Sequence, residues 1–574
     1  MIEPRYGVLQ TLFADRVFRI PHYQRFYSWQ KRQRDDLFSD LNKLASGNED
    51  QHHFMATLVC HRTSETKAVG TAQYRVFDVV DGQQRLTTLI ILLKCIELSL
   101  AEDSEDRKDL GKMLVKRDGH LILLQTNNSN EYIFNRFIRE GIAPSQADIL
   151  THSDRNLSNA IRDCKEFVED WKSSKDVLSL MRLLLHRLGF VVYDTEDSRV
   201  VYTVFEVLNS RGLAVDWLDK TKSVLMGRMY ELSGSPMATE AEIATLQDMW
   251  SQIYREIAKE DIPGDETLRI MATLYYGPER GKPLSAEESL DVLRKECTSF
   301  DKPRKVSERL LDVARKLVSL YGSAQLEAVT EILHARLLAV AVMIASGLNE
   351  AEGVKALEQW ERVSFRIFGL ARKDSRTKVG DYVRLAYKIV TEDIGTRTYN
   401  QIMAGLRELG SEYPINEALK EGVIGKDCYE RPEVCRYLLW LFEEELARRL
   451  GAGATVDDQE RRGIWKLRAS ESIEHIFPQN PPSGPAWRNK MRSGAGAEQP
   501  LYPNVGRIGN LILLPIRLNQ EAQVLSFEKK KEIYARHNLR MVQAVSSEDD
   551  WTLAEIEARE IRIAEWATSR WSDI

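Results

Sequence analysis

No two cysteines in this chain form a Cys-x-x-Cys pair. The six thiols are Cys60, Cys95, Cys164, Cys297, Cys428 and Cys435, so neither a zinc ribbon nor a dithiol redox motif is available. So few cysteines in 574 residues fit a reducing compartment, and a cytoplasmic location is the expectation. No apolar run reaches the roughly 18 residues that a bilayer crossing needs. The longest candidate, Leu86 to Leu100, is interrupted by Lys94 and Glu97. The opening Met1-Ile2-Glu3-Pro4-Arg5 has no apolar stretch of the secretory type. There is no repeat at a fixed period and no long low-complexity segment, which sets aside solenoids and fibrous arrays. Strong overall charge is missing too: the formal net charge is only −6.

What is present is a chain long enough for two to four domains at about 150 residues each. The modest net charge hides a local asymmetry. Residues 461–540 hold 14 Lys/Arg against 6 Asp/Glu, whereas 541–560 are predominantly acidic. A basic block inside an acidic chain points to an anionic partner near the C-terminus.

Hydrophobic patterning divides the chain into three stretches, expected as domains at 1–230, 231–445 and 446–574. In the first, Arg16 to Ile20 alternates as a short strand ended by Pro21, and Ser28 reads as the N-cap of a helix running to Leu44. His53 to Cys60 and Tyr74 to Val80 read as strands, and a helix follows Asp81-Gly82, from Arg85 to about Ala101. Residues 101–230 read mainly as helices with one β-rich patch at Phe190 to Tyr193. The second stretch is helical almost throughout. There Trp250, Trp360 and Trp440 read as core, His334 as a core histidine, and Glu443-Glu444-Glu445 as a solvated face. Gly451-Ala452-Gly453-Ala454 is a linker candidate. The fold class expected is therefore multidomain, mainly α with α+β parts.

The sharpest chemical signal lies near the C-terminus. Ser472-Ile473-Glu474-His475-Ile476-Phe477-Pro478-Gln479 places an acid beside a histidine at a strand end. It is followed by Arg507-Ile508-Gly509-Asn510-Leu511-Ile512-Leu513-Leu514, then Asn519 and the basic run Lys529-Lys530-Lys531. Phosphodiester cleavage needs a base to activate water, a hard cation and oxygen ligands for it. His475 can be the base, Glu474 and the Asn519 amide oxygen the ligands, and Asn510 can tie the loop to the strand and orient His475. Basic side chains nearby suit a phosphate backbone. The bland alternative is a buried Glu-His pair with two capping asparagines.

This constellation resembles the ββα-metal nucleases of the HNH family in their His-Asn-Asn form, over roughly residues 446–545. The resemblance implies a Mg2+ or Mn2+ ion and double-stranded DNA as substrate. One departure is Glu474, where many HNH nucleases have aspartate.

Two strings near the N-terminus carry a second signal. Arg19-Ile20-Pro21-His22-Tyr23-Gln24-Arg25-Phe26-Tyr27-Ser28-Trp29 interleaves arginines with aromatics, which suits base stacking and phosphate contact. Val79-Val80-Asp81-Gly82-Gln83-Gln84-Arg85 runs from a strand through a glycine turn into a helix N-terminus, an anion site by its free N–H groups and dipole. Taken alone, the bland readings are an aromatic cluster under a helix and an ordinary turn. With Phe205-Glu206-Val207-Leu208-Asn209-Ser210-Arg211-Gly212-Leu213, these strings resemble the N-terminal domain of GmrSD-type modification-dependent restriction enzymes, a relative of the ParB and sulfiredoxin fold.

That resemblance covers about residues 1–230. It implies a nucleoside-triphosphate site at Asp81, Gly82, Gln83, Gln84, Arg85, Asn209 and Arg211, with Arg19, Tyr23, Gln24 and Arg25 in the same pocket or sensing modified DNA. Both ends together resemble a single-chain type IV restriction endonuclease serving antiviral defence, with no membrane partner and a homo-oligomer left open. Two other classes stay open: a nucleotide-switched DNA-binding protein with a degenerate nuclease, and a toxin-like defence nuclease acting on host nucleic acid.

Overall fold

The computed structural model describes residues 4–14, 16–21, 24, 26–47, 53–69, 72–116, 121–126, 131–195, 216–232, 236–277, 281–323, 326, 329, 331–345, 347–391, 399–449, 464, 468–482, 487, 490 and 504–572. The chain divides into two compact units, residues 1–272 with 284–318, and residues 273–283 with 319–574. Helices predominate, alongside one six-stranded mixed sheet and two small two-stranded sheets among the described residues. No helix among them is long and apolar enough to cross a membrane.

In the first unit the six-stranded sheet has the order β1 (Pro4–Val8), β8 (Leu188–Thr195), β3 (His53–Val69), β4 (Ala72–Asp81), β2 (Arg16–Ile20), β7 (Leu124–Thr126). β4 pairs antiparallel with β3 and parallel with β2, setting Phe18 opposite Phe77. Three helices matter for the site: α1 (Lys31–Ser46), α2 (Gln83–Ser99) and α3 (His152–Ser174). α2 is buried on nearly every face from Gln83 to Glu97. A helix that is apolar all round belongs in a core, and α2 joins the strands and α3 in one cluster with Leu89, Ile90 and Leu93 at its centre.

The strands expected at 16–20, 53–60, 74–80 and 190–193 are all present, most of them longer than their patterns suggest. Two details differ. α1 begins at Lys31 rather than after Ser28; Gln30 precedes it, with its N–H bonded to the Gln33 side chain at 2.9 Å. The stretch 101–230 also contains β5 (Val115–Lys116), β6 (Leu121–Ile122) and β7, strands of two or three residues that carry no readable period.

One ion pair ties α1 to α3 inside this core. Arg34, 2% exposed, donates from Nε at 2.8 Å and Nη2 at 2.6 Å to Asp163, and its Nη1 reaches the Trp29 carbonyl.

The second unit is built from helices up to α4 (Pro432–Arg449). A short antiparallel hairpin of β9 (Ile473–His475) and β10 (Leu511–Leu513) follows, then α5 (Ile516–Ala522), α6 (Phe527–Tyr534), α7 (Arg540–Ser546) and α8 (Leu553–Arg570). Trp360 and Trp440 are core here, as Trp250 is in the first unit. His334 is a core histidine whose Nε2 lies 3.0 Å from the Thr377 carbonyl, edge-on to Tyr382 and Phe368. The glutamate run 443–445 is not one solvated face. Glu443 is fully buried and accepts the backbone N–H groups of Arg540 and Met541 at 2.7 and 2.8 Å, capping α7, where a carboxylate meets the helix dipole favourably. The 451–454 linker lies outside the described residues.

Two predictions follow from these cores. Arg34→Ala leaves buried Asp163 with only its longer contact to Arg162, at 3.3 Å, and should destabilise the first unit by about 3 kcal/mol; an unchanged denaturant midpoint in urea would contradict this role. Burial pushes the His334 imidazole down to about 4 from its ordinary 6.5. Its contribution to stability is therefore full above pH 6.5 and is lost as pH falls toward 4, at up to about 1.4 kcal/mol per pH unit. Replacing it, as His334→Gln, should flatten that acid limb in melting curves taken between pH 7.5 and 5.

Candidate functional site: a hairpin clamp and a glycine turn

The hairpin pairs His475 with Leu511 and Glu474 with Ile512. Its closure depends on Asn510, which is fully buried. The Asn510 Oδ1 accepts from the Phe477 N–H at 2.7 Å and from the Trp551 indole at 3.0 Å. Its Nδ2 donates to the carbonyls of Phe477 and Val505 at 2.9 and 2.8 Å. An asparagine amide offers two donors and two acceptor positions, and here all four are used. Asn510 thus ties Phe477, two residues after His475, to Val505 and Trp551.

A second clamp comes from α8. Arg559, 4% exposed, donates from Nη1 to the carbonyls of Ile508, Gly509 and Leu511 at 3.1, 2.9 and 2.8 Å. Gly509 fits only as glycine, because a Cβ there would lie 1.9 Å from the Ile556 carbonyl of α8. Beside it Arg507 pairs with buried Glu560 at 2.6 Å. Neither Arg559 nor Trp551 was singled out from the sequence. The only signal for Arg559 is its position in the apolar stripe of α8 with Ile556 and Ile563.

Consecutive strand residues face opposite sides, and this separates Glu474 from His475. Glu474, 3% exposed, accepts from the Lys530 ammonium at 2.6 Å and the Tyr534 hydroxyl at 3.0 Å, both from α6. Lys530 is itself fully buried and also donates to the His475 carbonyl at 2.7 Å. Burial pushes the Glu474 carboxyl up and the Lys530 ammonium down, and each charge offsets the other's desolvation. His475 lies instead edge-on to Tyr429, with ring centroids 4.5 Å apart. Burial, helped by the Lys530 charge, lowers its imidazole to about 4. It is therefore neutral at pH 7, and its buried Nε2 has no hydrogen-bond partner among the described residues. Asn519, from α5, donates through Nδ2 to the carbonyls of Glu471 and Ile473 at 3.0 and 3.1 Å, which leaves its amide oxygen without a partner among the described residues.

The predicted metal ligands fit only in part. Asn519 keeps a free oxygen, but the Glu474 carboxylate is occupied by an ammonium that would repel a divalent ion bound to it. Among the described residues no three His, Cys, Asp or Glu side chains are grouped to hold a metal. Lys530, expected in a DNA-facing basic run, is internal, while Lys529 is exposed.

At the other end of the chain, the turn forms as expected. β4 ends at Asp81, Gly82 adopts φ +95°, and α2 starts at Gln83. Glutamines bring the two N-terminal strings together. Gln84 accepts from the Ser28 N–H at 2.8 Å and donates to the Phe26 carbonyl at 3.0 Å, and Gln24 donates to the Val80 carbonyl at 2.6 Å. All three glutamines are buried, and the side chains of Gln84 and Gln24 organise the turn from within, while for Gln83 burial alone is observed. Asp81 is half-buried. Arg85, also half-buried, makes no ion pair or hydrogen bond among the described residues; with Gly82 it borders a cavity of about 10 Å3, room for a single water.

Arg19 was expected at the same pocket, but it is held by two carboxylates, Asp78 at 2.6 Å and Glu65 at 2.7 Å. That pairing leaves little of its fork for phosphate. Tyr23, Arg25, Asn209 and Arg211 lie outside the described residues.

One cation beside the first string went unread in the sequence. Lys222 is fully buried, lies 4.3 Å from the centroid of the Phe26 ring, and its ammonium has no hydrogen-bond partner among the described residues. Burial lowers it to about 8 despite Asp219. Its helical spacing with Leu218, Leu225, Met226 and Met229 was the available clue.

Two family models match this chain: the N-terminal domain of the GmrSD restriction endonuclease, over residues 9–226, and the C-terminal domain of the GmrSD restriction endonucleases, over residues 413–566. No curated protein matches it.

The Glu474–Lys530 pair generates a prediction of its own. Lys530→Met strands a buried carboxylate and should cost about 3–5 kcal/mol. The double variant Glu474→Gln/Lys530→Met should recover most of that loss. A double variant no more stable than Lys530→Met alone would mean that the pair is not the coupling in question.

Proposed function

This chain belongs to the GmrSD restriction endonucleases, and from that membership we propose that it cuts or nicks modified foreign DNA under the control of a nucleoside triphosphate. The observation that carries the nuclease half is His475: a neutral imidazole with an unshared Nε2, fixed at the mouth of a loop that Asn510 closes. In this reading the C-terminal block is a ββα nuclease of the HNH type. His475 Nε2 accepts the proton of a water as its oxygen attacks the scissile phosphorus, and the leaving sugar oxygen is protonated from solvent. Asn510 is a positioning residue that fixes the loop against the strand. The resemblance supplies a magnesium or manganese ion to neutralise phosphate charge. Of the two expected ligands only Asn519 has an oxygen to offer it, and Glu474 acts as the buried anchor of α6.

The nucleotide is assigned to the start of α2, where the N–H groups after Gly82 and the unpaired guanidinium of Arg85 favour phosphate. Lys222 beneath Phe26 is a further cation beside the same strings. One observation favours a second reading. The occupied Glu474 carboxylate suits a DNA-binding protein whose nuclease domain is silent.

Plasmid cleavage by the purified chain with magnesium tests both. Substrates are unmodified, glucosyl-hydroxymethylcytosine and phosphorothioate DNA, each with and without nucleoside triphosphates. His475→Ala should lower cutting by at least about 10²-fold, the scale of a general base, while nucleotide turnover persists. Loss of both activities together would contradict the division of labour. Arg85→Ala should weaken nucleotide binding, and unchanged binding would remove the turn from the site. Bound but uncut DNA across every substrate would favour the silent-nuclease reading.

A further inference from the structure

The C-terminal unit carries a cavity of about 770 Å3 bordered by the helix Glu350–Ser364, which bears Arg362, and by α4, α7 and α8. This volume lies in the range of small-molecule sites. Six arginines line it against four glutamates. Most of these arginines are paired. Arg448 and Arg449 both reach Glu445, at 2.5 and 2.8 Å; Arg562 approaches Glu548 at 3.7 Å, and Arg570 holds Glu361 at 2.9 Å. Arg559 and Arg362 form no ion pair among the described residues. Arg559 is 4% exposed, and its Nη2 is buried with no hydrogen-bond partner; the Nε of Arg362 is in the same condition.

A buried cation without a counter-charge is costly, and so is an unmet donor. Arg559 is such a cation, and Arg362, half-buried, adds one such donor; two guanidiniums bordering one cavity suit a dianion, and the guanidinium fork matches phosphate oxygens two at a time. The cavity is larger than phosphate alone requires. Trp551, Trp566 and Phe442 supply the rest of its wall, which suits an aromatic group attached to the anion.

We propose that this cavity binds a nucleoside phosphate, with Arg559 Nη2 and Arg362 as the phosphate donors. The other nitrogen of Arg559 holds the carbonyls on either side of Asn510, so the ligand would bear directly on the hairpin clamp. Binding here is separate from the turn at Gly82 and does not depend on the nuclease reading.

Calorimetric titration of the full chain, in EDTA and at physiological salt, tests this with AMP and, separately, inorganic phosphate. One saturable AMP site is expected, with weaker binding of phosphate. Arg362→Gln, which leaves the Asn510 turn untouched, should weaken AMP binding by at least about tenfold, the scale of a charge-assisted hydrogen bond. Arg559→Lys should weaken it similarly where circular dichroism shows a folded chain. Absence of saturable binding, or full affinity in Arg362→Gln, would overturn the site. Equal affinity for AMP and phosphate would overturn the nucleoside assignment.

Discussion

The C-terminal chemistry of this chain depends on one buried amide. Asn510 uses every hydrogen-bonding position it has, in four bonds that reach Phe477, Val505 and Trp551. A buried amide with even one position unmet costs free energy. The loop ends, the hairpin register and the indole are therefore fixed together or not at all. Arg559 makes a similar demand, since its Nη1 is met by the carbonyls of Ile508, Gly509 and Leu511, which flank Asn510. His475 is the beneficiary. It makes little contact through its own ring nitrogens, and its orientation is inherited from strand pairing and from the clamp that follows it.

Much of this was legible in the sequence, and the part that was not has a physical reason. The order Glu474-His475, Asn510, Asn519 located the hairpin, the tie and the following helix. The faces of the strand were readable as well, because neighbouring residues in a strand point apart; a motif written as a string of letters hides that. What could not be read was the partner of Glu474. Lys530 sits 56 residues downstream in a run of three lysines, and nothing local distinguishes the buried member of the run from its exposed neighbour Lys529. Burial of a lysine is decided by which face of α6 meets the hairpin, a tertiary fact. The same limit explains Glu443, which caps a helix almost a hundred residues away.

The N-terminal strings gave a different balance. Strand, glycine turn and helix start were all where the alternation and Gly82 put them. The glutamines in both strings read as ligand-binding groups, and Gln84 and Gln24 prove to be the crosslinks that hold the strings against each other. Arg19 reads as a phosphate ligand by residue type, but Asp78 reaches it from the adjacent strand β4 and Glu65 from β3, one strand further on. A guanidinium flanked by two carboxylates is a structural group first, because its charge is already met and binding phosphate would mean giving up two short ion pairs.

Free capacity, more than residue type, separates the polar groups that hold this protein together from those that could still meet a ligand. Asn510 is saturated, Gln24, Gln84, Arg19 and Glu474 are engaged, and each of the five holds two parts of the chain together. His475 Nε2, the Asn519 amide oxygen, the Arg85 guanidinium, the Lys222 ammonium and Arg559 Nη2 each retain hydrogen-bonding capacity that no described residue meets. For the buried members of that group the deficit is energetically unfavourable in the unliganded chain. Folding tolerates such deficits where a proton, a phosphate or another anion will later meet them, so the unsaturated set marks where ligands should be sought. Its division between a helix start in the first unit and a hairpin clamp in the second follows the two halves of the family to which the chain belongs.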